Sequence, residues 1–383
     1  MFYPSINGDF DVAPTLEKSF YFVTLLERLL QESGADDGGD GALAPVAKVE
    51  DQRKGDGRSM RYRDFGRTGW KVSEIAFGGW QIGGDWGQVD DRESIDTLLY
   101  AYEKGVNFVD TAELYGKGHS ELVTGRSLKE WRGGKIYVAT KAQPVVWPNP
   151  DDDNPAMRGR YPAWYLRDSV EASLRRLSVE RLDLFQLHCW LKDGLDALDW
   201  LETLNALRRE GKIDRIGVSI RDFRPDEGVD LARFGLVDSA QVVFNMFEQR
   251  PTDALFPAAG QTRTATIARV PLDSGCLTGA WTADTYGQWA PGSVPHTLFR
   301  EGRFAATLAR VESLKADCAK FYPTLAEAAM RYVLSAPNLS TLIPGMRTKA
   351  EVDMNVAYSD GAPFPAELLA SLPKHRWIRN YYK

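Results

Sequence analysis

Four side chains of the types that move protons fall at the ends of three apolar runs. Asp110 closes residues 106–109, a β-branched and aromatic stretch after Gly105 that reads as a short buried strand. Tyr115 follows in a loop pinned by Gly116 and Gly118. Lys141 closes a second such run at 136–140, and His188 a third at 182–187. A carboxylate at the end of a buried strand is costly unless a cation meets it, so Asp110 and Lys141 are expected to pair. A free phenol titrates near about 10, and an ammonium beside it favours the ionised form. A phenol, its ammonium, a carboxylate anchoring that ammonium and an imidazole that hydrogen-bonds oxygen can together protonate an oxygen that becomes negative. Singly, each residue has an ordinary structural reading: a rim ion pair, a loop tyrosine, a core histidine. Their position at the C-terminal ends of three successive strands, where barrel enzymes hold their chemistry, favours the catalytic reading.

The elements that must position them alternate along the chain. Residues 61–65 and 70–73, split by Gly66-Arg67-Thr68-Gly69, read as a hairpin. Strands are expected at 75–77, 107–110, 136–140, 182–187, 213–219, 239–244, 266–270 and 341–344, with helical patterns between them, for example at 92–104, 164–177 and 195–210. Eight strands with intervening helices predict a (β/α)8 TIM barrel of the α/β class. A doubly wound sheet would need a glycine-rich phosphate turn after its first strand. Residues 78–84 are glycine-rich but lack that spacing, and no helix starts there. Residues 39–44 match GxGxxA with no strand before them, so they are set aside. Two long loops, 144–161 and 281–304, follow strands and are expected to overhang the catalytic face.

The N-terminal residues 1–58 form a separate extension ahead of the barrel at 59–383. An amphipathic helix is expected at 15–32, with Leu16, Phe20, Val23, Leu26 and Leu30 in one stripe, followed by a flexible linker at 35–58. The chain has 383 residues, 43% hydrophobic and 26% charged, as in an ordinary globular protein. A net charge of -6 argues against a nucleic-acid or anionic-membrane surface. No apolar run approaches the roughly 18 residues of a membrane helix. Cys189, Cys276 and Cys318 make no disulfide framework, and no secretory signal opens the chain, so a reducing cytoplasm is expected. The four histidines, His119, His188, His296 and His375, include no pair at ligand spacing, which argues against a zinc or iron hydrolase barrel. Oligomeric state is left open.

The pieces DTAELYG at 110–116, GHSE at 118–121, VATK at 138–141 and DLFQLH at 183–188, in that order, resemble the aldo-keto reductase family from about Arg61 to the C-terminus. The resemblance implies a barrel whose bottom is plugged by the hairpin. It implies hydride transfer from a nicotinamide cofactor, with Tyr115 as general acid, Lys141 tuning it, Asp110 anchoring Lys141 and His188 orienting the carbonyl. It also implies that Ser219 and Gln241 hold the nicotinamide carboxamide, although Ile220 and Arg221 follow Ser219 where many members carry asparagine. One carboxamide hydrogen bond is therefore missing or replaced. Arg269 stands where many members stack an aromatic residue on the nicotinamide. A planar guanidinium can stack there too, and its charge would favour the reduced ring. Pro271 and Leu272 fall in the same cofactor region. In IPGMRTKAEVDMN at 343–355, Gly345 permits close backbone approach, and a helix beginning near Lys349 offers its N-terminus to phosphate. Arg347 matches the residue that contacts a 2'-phosphate, while Glu351 and Asn355 suit the adenosine. NADP(H) is therefore expected over NAD(H).

Trp80, Trp86, Trp147 and Trp190 lie just past strand ends and could wall a substrate pocket. Aromatic walls suit sugars, aryl aldehydes and quinones equally. The leading reading is an NADP(H)-dependent reductase of small aldehydes or ketones. The alternatives are a sugar or alcohol dehydrogenase running the oxidation, and a regulatory subunit that keeps the cofactor as a sensor, as channel β subunits of the family do.

Overall fold

The computed structural model describes residues 60–379; the expected helix at 15–32 and linker at 35–58 lie outside the described residues. The hairpin comes first, β1 (Tyr62–Asp64) antiparallel to β2 (Lys71–Ser73), with Tyr62 opposite Ser73. Eight parallel strands follow: β3 (Phe77–Gly78), β4 (Phe108–Asp110), β5 (Tyr137–Ala142), β6 (Leu182–Trp190), β7 (Ile213–Ile220), β8 (Ser239–Val243), β9 (Ala265–Arg269) and β10 (Thr341–Ile343). Each pairs with the next in sequence. The ring closes between first and last, where the Ala76 amide donates to the Leu342 carbonyl at 2.9 Å and the Gly78 amide to the Pro344 carbonyl at 2.9 Å. This is the (β/α)8 barrel that the alternation of patterns predicts.

Helices α1 (Asp91–Glu103), α2 (His119–Glu130), α3 (Ala163–Leu177), α4 (Asp199–Arg209), α5 (Val229–Arg233) and α6 (Leu255–Thr262) connect successive strands from β3 to β9. The β9–β10 connection carries α7 (Thr285–Gln288), α8 (Val294–Leu298), α9 (Arg303–Cys318) and α10 (Leu325–Leu334), and β10 is followed by α11 (Lys349–Val356) and α12 (Ala366–Ser371). Local chemistry sets several of these ends. The Asp90 carboxylate caps α1 by accepting from the Glu93 amide at 2.9 Å. The helix expected at 195–210 starts only at Asp199, because a tight turn at Lys192–Leu195 comes first.

Alternation along the strands divides the barrel interior into two layers. Phe108, Ala139, Leu184, Ile267 and Ile343 form a lower apolar layer, filled from below by Phe65, Trp70 and Val72 of the hairpin. The Phe65 and Phe108 rings lie 5.3 Å apart, and Trp70 stacks on Tyr137 at 4.5 Å. Two residues further along their strands come Asp110, Lys141, Gln186 and Arg269, so the polar layer sits directly above the plug. Strand β6 runs three residues past the expected end at 187, with a register shift between Leu187 and Trp190. His188 therefore lies at an irregularity within a strand rather than just past its end. Such irregularities re-aim side chains.

Phe65 is fully buried at the centre of the plug. Phe65→Ala is expected to cost about 3–5 kcal/mol, because the rigid barrel cannot collapse around the lost ring. Urea unfolding measures this, and a loss below about 1 kcal/mol would show that the plug is not part of the core.

Candidate active site

Lys141 is fully buried, and its ammonium has three donors to place. They go to the Asp110 carboxylate at 2.5 Å, the Thr111 carbonyl at 2.8 Å and the Tyr115 hydroxyl at 3.2 Å. The other Asp110 oxygen accepts from the Gln241 amide at 2.7 Å and from the Gln186 amide at 3.4 Å. The structure thus brings three of the four expected residues into one hydrogen-bonded chain. His188 meets it edge to face, its ring 5.7 Å from that of Tyr115. The loop carrying Tyr115 turns sharply. Gly116 has φ 58°, and a Cβ there would fall 1.9 Å from the Gly83 carbonyl oxygen. Gly83 thus serves close packing against the Tyr115 loop, while a Cβ on Gly78 would meet the Pro344 carbonyl and one on Gly79 the Asp110 carbonyl.

Burial pushes the Tyr115 phenol above its ordinary range, and the neighbouring Lys141 ammonium offsets only part of that rise. The ammonium beside the phenol is legible in the local sequence; the burial that outweighs it is set by the fold. Tyr115 consequently holds its proton at neutral pH. For Lys141, burial acts downward, but Asp110 and Tyr115 together outweigh it and keep the ammonium charged. Burial, then the Lys141 and Arg269 cations, holds His188 well below its usual range, so the imidazole is neutral. Its Nδ1 is buried with no hydrogen-bond partner among the described residues.

A cleft of about 1050 Å³ opens over Asp110, Tyr115 and His188. Three of the four expected tryptophans line it. Trp80 stacks 5.8 Å from Tyr115, Trp86 meets Trp80 edge-on at 5.2 Å, and Trp147 lies 5.8 Å from His188. Trp190 does not join them. It is fully buried, donates to the Glu227 carbonyl at 2.9 Å and packs edge-on against Trp200 of α4 at 5.3 Å. The register shift in β6 breaks the alternation that would have placed it on the same face as His188.

Pro271, Leu272, Gly345, Arg347, Glu351 and Asn355 line the same cleft. A Cβ on Gly345 would fall 2.5 Å from the Gln81 side chain, so close approach there is real. Helix α11 begins at Lys349 as expected, with a capping box in which Thr348 and Glu351 bind each other's amides. That commits one Glu351 oxygen to the amides of Arg347 and Thr348. Asn355 Oδ1 is buried without a partner among the described residues. Ser219 and Gln241 are buried and do not line the cleft. They face each other in register on β7 and β8, and Ser219 Oγ and Gln241 Oε1 have no partner among the described residues.

The partners of several of these residues carried no signal in the sequence. Arg269 lines the cleft, but its guanidinium is pinned by the Ile220 carbonyl at 3.0 Å and by the Asp222 carboxylate. A carboxylate that close offsets much of the charge expected to bias the nicotinamide. Arg221, in the position after Ile220, turns away to the carbonyls of Asp152 and Asp153, both at 3.1 Å, and to Glu227. Arg224 donates to the Asp153 carbonyl as well, at 3.1 Å. These arginines tie the 144–161 loop over the cleft. The other long loop closes the far side with Trp281, Tyr286, Trp289, Phe299 and Phe304 packed on Phe223 and Val243.

The chain matches the Aldo/keto reductase family over residues 74–376. It is 29% identical over 297 residues to aldo-keto reductase YhdN of Bacillus subtilis, covering 77% of this chain and 87% of that protein. It is 28% identical over 312 residues to the NADH-specific methylglyoxal reductase of Escherichia coli, covering 78% and 93% respectively. Among solved structures, the glycerol dehydrogenase of Gluconobacter oxydans superposes with a TM-score of 0.65 at 28% identity, over 84% of this chain and 95% of that one. The family match starts just after the hairpin and ends beyond α12, so it takes in the whole barrel, and the chain belongs to the Aldo/keto reductase family of oxidoreductases.

Proposed function

We propose that this protein is an NADP(H)-dependent reductase that converts small aldehydes or ketones to alcohols, with Tyr115 as general acid. The observation that carries the reading is the buried chain from Asp110 through Lys141 to Tyr115, opening into a tryptophan-walled cleft beside His188. A bound reduced nicotinamide dinucleotide would supply a hydride to the carbonyl carbon. As the carbonyl oxygen gains charge, Tyr115 gives it the phenolic proton, and Lys141 stabilises the phenolate left behind. His188, held neutral, can donate one hydrogen bond to the same oxygen and so fix its direction. Asp110 keeps the ammonium in place throughout. The three cysteines are buried free thiols, which supports a reducing, cytoplasmic setting. No helix among the described residues is long and apolar enough to cross a membrane.

The residues present fit such a cofactor. At the cleft, the unpartnered oxygen of Asn355 suits the amino group of an adenine; Ser219 and Gln241 also carry unpartnered oxygens of the kind a carboxamide would meet, but these do not line the cleft. At the α11 end of the cleft, Arg347 donates to the Gln88 carbonyl at 2.8 Å and makes no ion pair among the described residues. A guanidinium without a carboxylate partner beside a helix N-terminus suits a 2'-phosphate. The E. coli relative is specific for NADH, so this choice calls for direct test. Reaction direction does too, since the same acid–base chain serves both; comparing aldehydes with NADPH against glycerol and sugars with NADP would set it.

Tyr115→Phe is expected to lose about 10²-fold or more in kcat while binding cofactor normally, because only the proton donor is removed. Wild-type turnover by that variant would sink the mechanism. The raised phenol pKa also fixes a pH profile. Reduction needs the protonated phenol, so its rate should hold through neutral pH and fall only on the alkaline side. In Lys141→Met the charge that pulls the phenol down is gone. The alkaline limb should then move to higher pH, while oxidation, which needs the phenolate, suffers most. An unchanged profile would count against Lys141 as the tuning group.

Arg347→Ala should weaken NADPH about tenfold to hundredfold and leave NADH nearly unaffected, since a charge-assisted contact is lost only with the phosphate. Fluorescence-quenching titrations of both cofactors measure this. Equal weakening of both would show that Arg347 is not the phosphate ligand, and equal wild-type affinities would overturn the NADP(H) preference.

A further inference from the structure

The loop at 270–275, just after β9, is held in an unusual shape. Val270, Asp273, Ser274 and Gly275 all have positive φ, at 57°, 48°, 56° and 98°. A β-branched residue there is a true outlier, and such conformations persist only where surrounding contacts fix them. Asp273 is the point of attachment. Its side chain is only 1% exposed, yet it carries a carboxylate. The Asn245 amide donates to one oxygen at 3.3 Å and to the Val270 carbonyl at 3.0 Å. The Cys276 thiol donates to the other oxygen at 2.9 Å, and that oxygen also takes the Arg379 guanidinium.

Arg379 comes from the far end of the chain, and the residues before it are tied to the barrel mouth. Arg376 makes a two-pronged pair with Asp253 at 2.8 and 2.9 Å, and the Trp377 amide donates to the Phe247 carbonyl at 3.0 Å. The Arg379 guanidinium lies over the Trp377 ring at 4.3 Å and the Phe247 ring at 5.1 Å. Phe247 in turn donates its amide to Asn245 Oδ1 at 2.9 Å. One turn after β8 therefore holds both the tail and the loop. Pro271, Leu272, Ser274 and Gly275 on the loop, and Ile378 and Arg379 on the tail, line the same cleft.

We infer that residues 376–379 act as a positioning strap for the cofactor loop: the Arg379–Asp273 pair holds loop 270–275 in its binding shape, so tail docking and dinucleotide binding favour each other. The inference rests on the proposed cofactor reading, which places Pro271 and Leu272 against the dinucleotide. Without the guanidinium, the buried Asp273 carboxylate loses a charged partner, and the strained loop loses a contact that holds its left-handed conformation. The coupling is reciprocal: whatever factor the docked tail adds to cofactor affinity, bound cofactor must add to tail docking.

Two measurements on the full chain test this. Arg379→Ala should weaken NADPH and NADH alike, by about tenfold, because a charge-assisted contact is lost that is blind to the 2'-phosphate. Arg379→Lys should restore part of the loss, and kcat at saturating cofactor should change little, as Tyr115 and Lys141 are untouched. In wild type, saturating NADPH should slow carboxypeptidase release of Arg379, followed by mass spectrometry; Asp273→Asn should abolish that protection. Wild-type affinities in a folded Arg379→Ala variant overturn the strap. If that variant does not fold, the wild-type digestion decides, and an unchanged release rate overturns it. A wild type that binds neither dinucleotide sinks the cofactor reading, and the strap with it.

Discussion

The buried ion pair between Asp110 and Lys141 is the constraint on which the rest of this barrel depends. Both side chains are within 1% of full burial, so neither charge can be left alone; removing one partner of such a pair typically costs about 3–5 kcal/mol. The structure satisfies them completely. Three acceptors meet the three ammonium donors, and two glutamine amides meet the second Asp110 oxygen. This is possible only because Asp110, Lys141, Gln186 and Gln241 all point inward in one layer. They do so because each follows, at the two-residue period of a strand, a smaller or apolar residue below it. The hairpin plug earns its place in this scheme: it fills the lower layer with Phe65, Trp70 and Val72, so that solvent does not reach the charges from beneath.

Above the polar layer, the loops are held by two different kinds of contact. On one side, Arg221 and Arg224 bind backbone carbonyls at Asp152 and Asp153, which leaves Trp147 of the same loop beside His188. On the other, the 281–304 loop packs its aromatic rings on one another and on Phe223. The first kind uses charge-assisted bonds to polar backbone, which suits a proline-rich loop with few apolar residues to bury. The second uses apolar area. One wall of the cleft is thus tied through polar backbone and the other through apolar packing.

How much of this was legible in the sequence follows from range. Asp110, Tyr115, Lys141 and His188 each announce themselves by local context, a proton-active side chain at the end of an apolar run, and the barrel follows from eight such runs. What is set by contacts across the fold was not legible. Trp190 sits two residues past His188, and strand alternation alone puts it in the pocket; the register shift that turns it against Trp200 leaves no mark in the local pattern. Arg269 reads as a free cation until Asp222 is seen beside it, 47 positions away. The tie from Arg379 to Asp273 spans 106 positions and joins two segments with no shared motif. The rise in the Tyr115 pKa is likewise a property of burial, whereas the sequence shows only the charge that opposes it.

That opposition has a consequence for the proposed chemistry. A phenol raised by burial and lowered by an ammonium is held between two forms, each stabilised by a different part of the site. The apolar wall around Trp80 favours the neutral acid needed for reduction, and Lys141 favours the phenolate needed for oxidation. Neither residue assigns a direction. Asp222 offsets the Arg269 charge, so that side chain would do little to favour a reduced ring over an oxidised one. In the proposed chemistry such a site would serve proton transfer in both directions, and the supply of reduced or oxidised cofactor, rather than these side chains, would set the direction.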